Sequence, residues 1–254
     1  MSTNALTISD LSQSFGGLKA VADLSFSVTA GELFGVIGPN GAGKTTLLNC
    51  VSGLHRYRQG DIRLGATRLT GRTPSQIAHL GVARTFQAAD FFPEFSVLDY
   101  LLLGRYRFCC TSLLRNALWT RGARRAEGAE RDRAAALLRD FGLAEYRDLH
   151  AGVLPYGTRK LLDVLRAVLM EPKLLLLDEP TSGTTVADRE SLRTAVARIR
   201  DLGVTTVIVD HDVRFISDTC DRALAMNFGR ELGTGKPAEL LARADVRESY
   251  VGLE

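Results

Sequence analysis

The sequence predicts an α/β fold with two additions, an antiparallel β subdomain at the N-terminal end and an α-helical subdomain inserted in the middle. Three observations carry this. Leu33-Phe34-Gly35-Val36-Ile37 is a buried-strand pattern that runs into Gly38-Pro39-Asn40-Gly41-Ala42-Gly43-Lys44-Thr45, which fits the phosphate-binding loop G-x-x-x-x-G-K-[ST]. From Phe91 to about Met170 one helical pattern follows another, with few β-branched runs. Beyond Met170 strand and helix signals alternate again, as they do in a parallel α/β core.

Taken in order, Leu6 to Ile8 and Leu24 to Val28 are β-like runs separated by Gly16-Gly17 and closed by Ala30-Gly31, which predicts antiparallel strands ahead of the phosphate loop. A helix is expected from near Gly43 to about Ser52, then a strand near Ile62 to Leu64. Thr73-Pro74-Ser75-Gln76 combines a capping box with proline at the first helical position, so a short helix starts there. A strand follows at Val82 to Thr85. In the helical stretch, Ser96 and Asp99 cap one helix ahead of Leu101-Leu102-Leu103, Arg124 to Phe141 forms a second, and Leu161, Leu162, Val164, Leu165, Val168 and Leu169 draw an apolar stripe on a third. Leu174 to Leu177 is a buried strand, Asp188 to Asp201 a helix with Leu192, Ala195, Val196 and Ile199 on one face, and Thr205 to Val209 another strand. The expected layout is a helical subdomain at 91–165 inserted in a core made of 1–90 and 166–254.

Bulk properties narrow the function. At 254 residues and 45% hydrophobic the chain can bury one large core, and a net charge of +3 is too small to call for a nucleic-acid partner. The start, Met-Ser-Thr-Asn, lacks a basic and apolar leader, and the longest plain aliphatic run, Leu174 to Leu177, is far below a membrane span, so a cytosolic chain is expected. Cys50, Cys109, Cys110 and Cys220 have no C-x-x-C spacing and are read as reduced fillers. The arginines from Arg105 through Arg107, Arg115, Arg121, Arg124, Arg125, Arg131 and Arg133 are interleaved with Glu127, Glu130 and Asp132, which reads as a solvated helix face.

The phosphate loop has a direct chemical reading. Its glycines let backbone N–H groups curl around phosphate oxygens, Lys44 adds a point charge at the β and γ phosphates, and Thr45 offers a hydroxyl to Mg²⁺. The helix behind it turns its positive N-terminus on the same oxygens. The pattern alone leaves ATPases, GTPases and small-molecule kinases open, all members of the P-loop NTPase class. Asp178-Glu179 ends the four-leucine strand before Pro180, placing two carboxylates at a strand tip where ligands gather. Asp178 suits Mg²⁺ and Glu179 suits a general base for an attacking water.

With these motifs together, the chain resembles the ATP-binding subunit of an ABC transporter over nearly its whole length, with the ABC ATPase architecture that this implies. Gln87 after Arg84-Thr85-Phe86 is similar to the family's Q-loop, Leu154-Pro155-Tyr156-Gly157-Thr158 to its signature loop, and His211 in Val209-Asp210-His211-Asp212 to its switch histidine. The resemblance implies catalytic roles for Glu179, His211, Gln87 and Lys44, and Mg²⁺ contacts by Thr45, Gln87 and Asp178. It implies ATP contacts by Phe15, Val21, the loop Gly38 to Thr45, and Thr46. The signature residues would act on an ATP bound by a second ABC ATPase subunit. Ala83 to Gln87 and the Tyr-Gly signature look like the branched-chain amino acid importers, which implies permease subunits, a binding protein reached through them, and a place on the inner face of the membrane. A soluble ABC ATPase without a transport role, or a regulatory subunit with impaired hydrolysis, remains the alternative. Two stretches depart from the family: Pro155-Tyr156 and Thr158 replace Ser-Gly and Gln in the signature, and Thr181-Ser182-Gly183-Thr184-Thr185, after Pro180, lacks the Leu-Asp or Leu-Asn pair of the D-loop. Both concern what this chain gives its neighbour.

Overall fold

The strands β1 (Asn4–Phe15) and β2 (Leu18–Thr29) pair antiparallel, and β4 (Gln59–Leu64) and β5 (Thr67–Arg68) extend them to a four-stranded antiparallel sheet in the order β2-β1-β4-β5. The structure is a computed structural model, and it describes residues 4–85, 92–105 and 121–251. β1 and β2 are each much longer than the runs read from sequence. Register shifts break the alternation between Ile8 and Leu11, where Asp10 takes a positive φ of 49°, and Asp23 opposite does the same at 52°. Cross-strand bonds hold this region: the Asp23 N–H donates to Ser12 Oγ at 2.9 Å and the Asp10 N–H to Ser25 Oγ at 2.8 Å.

The second sheet runs β10-β9-β3-β8-β7-β6, with β3 (Leu33–Ile37), β6 (Val82–Arg84), β7 (Leu174–Asp178), β8 (Thr205–Val209) and β9 (Arg222–Asn227) parallel and β10 (Arg230–Gly235) antiparallel at one edge. Its faces are buried on both sides, which is why its central strands read as unbroken aliphatic runs. Phe34, Val36, Leu174, Leu176, Val207, Val209, Leu224 and Met226 face the antiparallel sheet and α1 (Lys44–Val51). Leu33, Ile37, Leu175, Leu177, Ile208, Ala223 and Ala225 face the helices on the other side. Each fully buried leucine contributes about 1.5–3 kcal/mol.

The helices follow the expected order: α2 (Pro74–His79), α3 (Val97–Leu102), α4 (Arg121–Asp140), α5 (Tyr156–Val168) and α6 (Val186–Asp201). The predicted caps are formed: Thr73 and Gln76 close a capping box, and Ser96 accepts from the Asp99 N–H. On α6 the four residues named from sequence are the buried ones. The expected subdomain end at 165 falls inside α5, whose Leu161, Leu162, Leu165 and Val168 share one cluster with sheet residues, so the insertion and the sheet are packed on a common core. The chain beyond Val209, for which sequence reading assigned no element past the His211 motif, forms α7 (Val213–Thr219), β9, β10, α8 (Pro237–Ala242) and α9 (Ala244–Val251).

Arg105 corrects the reading of the arginine run. Its side chain is buried, pairs with Glu130 and Glu171, and donates to the Leu169 carbonyl at 2.7 Å, so it fastens α4 to the end of α5. Arg124, Arg125, Arg131 and Arg133 are exposed as expected, with Arg131 paired to Asp99 and Glu127 and Arg133 to Glu171. Cys50 and Cys220 are buried free thiols, Cys50 pushed up to about 12 by burial. Gln87, Arg107, Arg115, Cys109 and Cys110 lie outside the described residues, and so do the side chains of residues 121–123.

Candidate functional site

The parallel register of β3, β8 and β7 sets the site. Val36 pairs with Val209 and Asp178 pairs with Val209 from the other side, so the turns after Ile37, Asp178 and Val209 leave the same edge of the sheet. That edge, at the carboxyl ends of parallel strands, is where ligands bind in such sheets. The Gly38–Thr45 loop, Asp178-Glu179 and Asp210-His211 are thus brought together by topology.

Within the loop, tight backbone approach requires glycine at two positions. A Cβ on Gly38 would sit 2.2 Å from the Met226 carbonyl oxygen, and one on Gly43, at φ 99°, would sit 2.2 Å from that of Ala20. The loop is held from below by the Gly229 N–H donating to the Ala42 carbonyl at 3.0 Å. Gly43 caps α1 without a side-chain hydrogen bond, and Lys44, Thr45 and Thr46 form the first turn, whose N–H groups have no intrahelical acceptor. Asn40, Gly41 and Thr45 are exposed, while Pro39, Ala42 and Lys44 are buried. The Lys44 ammonium folds over the loop, donating to the carbonyls of Gly38 at 2.6 Å and Pro39 at 2.9 Å. Burial pushes its pKa below the usual lysine value, opposed by the nearby charges of Glu179, Asp210 and Asp178.

Asp178 sits in a buried network that sequence reading did not foresee. Arg84 Nη2 donates to its Oδ2 at 2.8 Å, while Arg84 Nη1 donates to Asn49 Oδ1 at 2.7 Å and Ser52 Oγ at 2.9 Å on α1. Oδ1 of Asp178 is buried and has no hydrogen-bond partner among the described residues. A hard cation needs such an oxygen. Glu179 adopts a positive φ of 47° and its N–H donates to the Val209 carbonyl at 2.7 Å, which turns its side chain off the strand direction. A non-glycine residue in that region is uncommon and is found where surrounding contacts force it.

Asp210 is a second residue missed from sequence. It is fully buried and its carboxylate accepts from the Thr181 N–H at 3.1 Å, the Thr181 hydroxyl at 2.8 Å and the Asp212 N–H at 2.9 Å. His211 Nδ1 lies 3.6 Å from the same carboxylate, with the ring half exposed. In sequence, Asp210 carried a signal only as the letter before the histidine. Tyr250, in α9, also reaches this edge: burial pushes its phenol up to about 12, with the Gly38 backbone pulling the other way.

The remaining expected residues lie elsewhere. Phe15 is 46% exposed at the end of β1, its ring in a T-shaped contact with that of His55, 5.1 Å between centres. Val21 is 0% exposed and sits in the core below the loop. Of the signature residues, Leu154 is buried, Pro155 caps α5 without a side-chain hydrogen bond, and Tyr156 is exposed at the first position of the helix; Gly157 and Thr158 follow in its first turn against α6. The signature packs on the loop that follows Glu179, and Gln87 lies outside the described residues.

Known proteins are similar to this chain over nearly its whole length. The chain matches the family described as "ABC transporter" over residues 21–182. It is 36% identical over 253 residues to the high-affinity branched-chain amino acid transport ATP-binding protein LivG of Salmonella typhimurium, with 99% of each chain covered. It is 34% identical over 253 residues to the corresponding protein BraF of Pseudomonas aeruginosa, again with 99% of each covered. Its fold is similar to the ADP conformation of an ATP-binding cassette of an ABC transporter, with a TM-score of 0.85, 27% identity and 99% of each chain covered.

Proposed function

Because the chain belongs to the ABC transporter family, as one of its ATP-binding and ATP-hydrolysing subunits, we propose that it powers an importer for branched-chain or related amino acids. The observation that carries this is the meeting of Lys44, Asp178, Glu179 and Asp210 at one sheet edge, in a chain that follows LivG and BraF from end to end. Two such subunits, this chain and a second ABC ATPase, close face to face on two permease subunits, which pass on the link to a substrate-binding protein. No helix among the described residues is long and apolar enough to cross a membrane. Attachment to the inner face is proposed to run through the permeases.

Lys44 leaves the two loop carbonyls for the β and γ phosphates, which the N–H groups of the Gly38–Thr46 turn also receive. Phe15 stacks on adenine, and Val21 supports the loop from the core rather than touching the base. Mg²⁺ fits the donor set, with the Thr45 hydroxyl and the free Asp178 Oδ1 as oxygen ligands, and when bound it supplies charge neutralisation at the transferred phosphoryl group. Gln87 is proposed for the same ion and water. Glu179 accepts the proton of the attacking water, and His211, positioned through Asp210, faces the γ-phosphate. The signature of the partner subunit completes the site. Since Pro155 stands where the family has serine and brings no hydroxyl to the neighbour's phosphate, the site this chain completes for its neighbour turns over more slowly than its own.

Replacing Lys44 with alanine removes a charged donor worth about 1.5–3 kcal/mol, so ATP affinity of the isolated chain drops by roughly one to two powers of ten. Calorimetric titration reads this directly. Transport is tested by reconstituting the chain with its permeases, second ATPase and binding protein in vesicles. ATP-dependent uptake of leucine, isoleucine or valine supports the reading, and ATP hydrolysis without uptake of any amino acid overturns the import assignment.

A further inference from the structure

The two stretches that depart from the family meet each other inside this chain. The Tyr156 ring lies on Gly183, whose φ is 75°: a Cβ there would come within 3.0 Å of the ring at Cε1 and 3.4 Å of its Cζ and hydroxyl oxygen. One residue on, a Cβ on Gly157 would overlap the Asp188 carboxylate, 2.1 Å from its Cγ. That carboxylate is fixed by the N–H of Thr185 at 2.9 Å and its hydroxyl at 2.8 Å, while the Thr185 hydroxyl caps α6 by accepting from the Asp188 N–H at 3.2 Å. Thr185 therefore keeps the capping task that an aspartate would perform at this position.

From Gly183 the contacts run back to the catalytic edge. The Ser182 N–H donates to the Glu179 carbonyl at 3.2 Å, the Thr184 hydroxyl donates to the Thr181 carbonyl at 2.6 Å, and Thr181 is doubly bonded to Asp210, beside His211. The turn from Glu179 to Asp188 is short and internally bonded, so a push on Gly183 reaches Glu179 and His211 with little slack. Tyr156 is 48% exposed, with Lys160 Nζ over its ring at 5.7 Å from the centre.

We propose that Tyr156 is a positioning residue that reports the closure of this chain's signature over its neighbour's nucleotide, through Gly183, to this chain's own Glu179 and His211. This rests on the shared-site reading above. Binding at the two ATP sites is then coupled within the chain, through the contact of the signature tyrosine with Gly183.

The test is a double-mutant cycle on the assembled transporter, with kcat, KM and the Hill coefficient for ATP as readouts. Asparagine visits left-handed backbone, so Gly183→Asn brings a Cβ against the ring with little backbone strain. Alone it should lower kcat about five- to thirtyfold, with a smaller change in KM, as expected for the loss of one or two kcal/mol of positioning. In a Tyr156→Ala background, where the ring is gone, the same change should cost less than about twofold, since residues in contact are non-additive. Tyr156→Ala should also bring the Hill coefficient down towards one, a change that a purely structural role does not produce. Equal losses in both backgrounds, or an unchanged Hill coefficient, overturn the proposal. The dependence of ATPase activity on a second ATPase subunit serves as the separate check: if activity per chain is the same with and without that subunit, it is the shared-site reading that falls.

Discussion

Glu179→Gln should lower ATP hydrolysis by the assembled transporter about 10²- to 10⁴-fold, the usual contribution of a positioned general base, while ATP still binds. Glutamine keeps the size and backbone of the residue and loses only the ability to take a proton. The substitution leaves in place the features that hold Glu179 at its φ of 47°, namely the bond from its N–H to Val209 and the Ser182 N–H on its carbonyl. Strain of this kind costs of the order of 1–3 kcal/mol and persists only where neighbours fix it, so the loss reports chemistry rather than folding. Turnover and equilibrium ATP binding measured on the same preparation separate the two. Turnover within about twofold of wild type would remove Glu179 from the proton-transfer role and, with it, the claim that this chain's own site is the faster of the pair.

The second large effect is expected at Arg84. Its side chain and that of Asp178 are 6% and 3% exposed and meet at 2.8 Å, and the same guanidinium bridges Asn49 and Ser52 on the phosphate-loop helix. Removing one partner of a buried pair leaves an uncompensated charge and costs about 3–5 kcal/mol. Arg84→Ala should destabilise the fold by that amount in denaturant unfolding. A double change, Arg84→Met with Asp178→Asn, should recover much of it. Arg84→Lys supplies a point charge without the planar fork that reaches three acceptors, so it should be intermediate. A loss below about 1 kcal/mol for Arg84→Ala would mean that the pair is not the fastening described. The functional side of the same prediction is that Arg84→Lys, if folded, raises the Mg²⁺ concentration needed for half-maximal ATP hydrolysis, because Asp178 is no longer held with Oδ1 free.

Element type and order are legible from local signals wherever a cap or a clear period is present. Thr73-Pro74-Ser75-Gln76, Ser96 with Asp99, and the stripe from Leu192 to Ile199 are short-range patterns, and each forms the element it predicts. The strands β7 and β8 were readable because both faces are buried and their aliphatic runs are continuous. β9 was missed although it pairs with β3 in the middle of the sheet, Val36 opposite Leu224. Its Ala-Leu-Ala-Met core, packed against α8, carries no β-branched run, and its partner β3 lies far away along the chain. The length of β1 and β2 was hidden by bulges, which break the alternation that strand reading depends on.

The site divides in the same way. Gly38 to Thr45, Asp178 and Glu179 were legible because phosphate binding demands fixed residue types at fixed spacing. Arg84 and Asp210 were visible only as letters beside recognised motifs, since their roles come from side chains they meet across the fold. Arg105 looked like one of many solvated arginines until α4 and the end of α5 enclosed it. The departures at Tyr156 and in the D-loop looked like two independent weaknesses in sequence, and packing makes them neighbours.

The most direct test of a shared ATP site is the specific ATPase activity of this chain measured against total cassette concentration, its own and that of a second ABC ATPase subunit titrated into it. If each ATP is completed by another chain's signature, activity per chain rises with concentration or with added partner and levels off at pairing. Constant activity per chain from high dilution upward, unaffected by the partner, would mean that the Gly38–Thr45 loop works without a second chain.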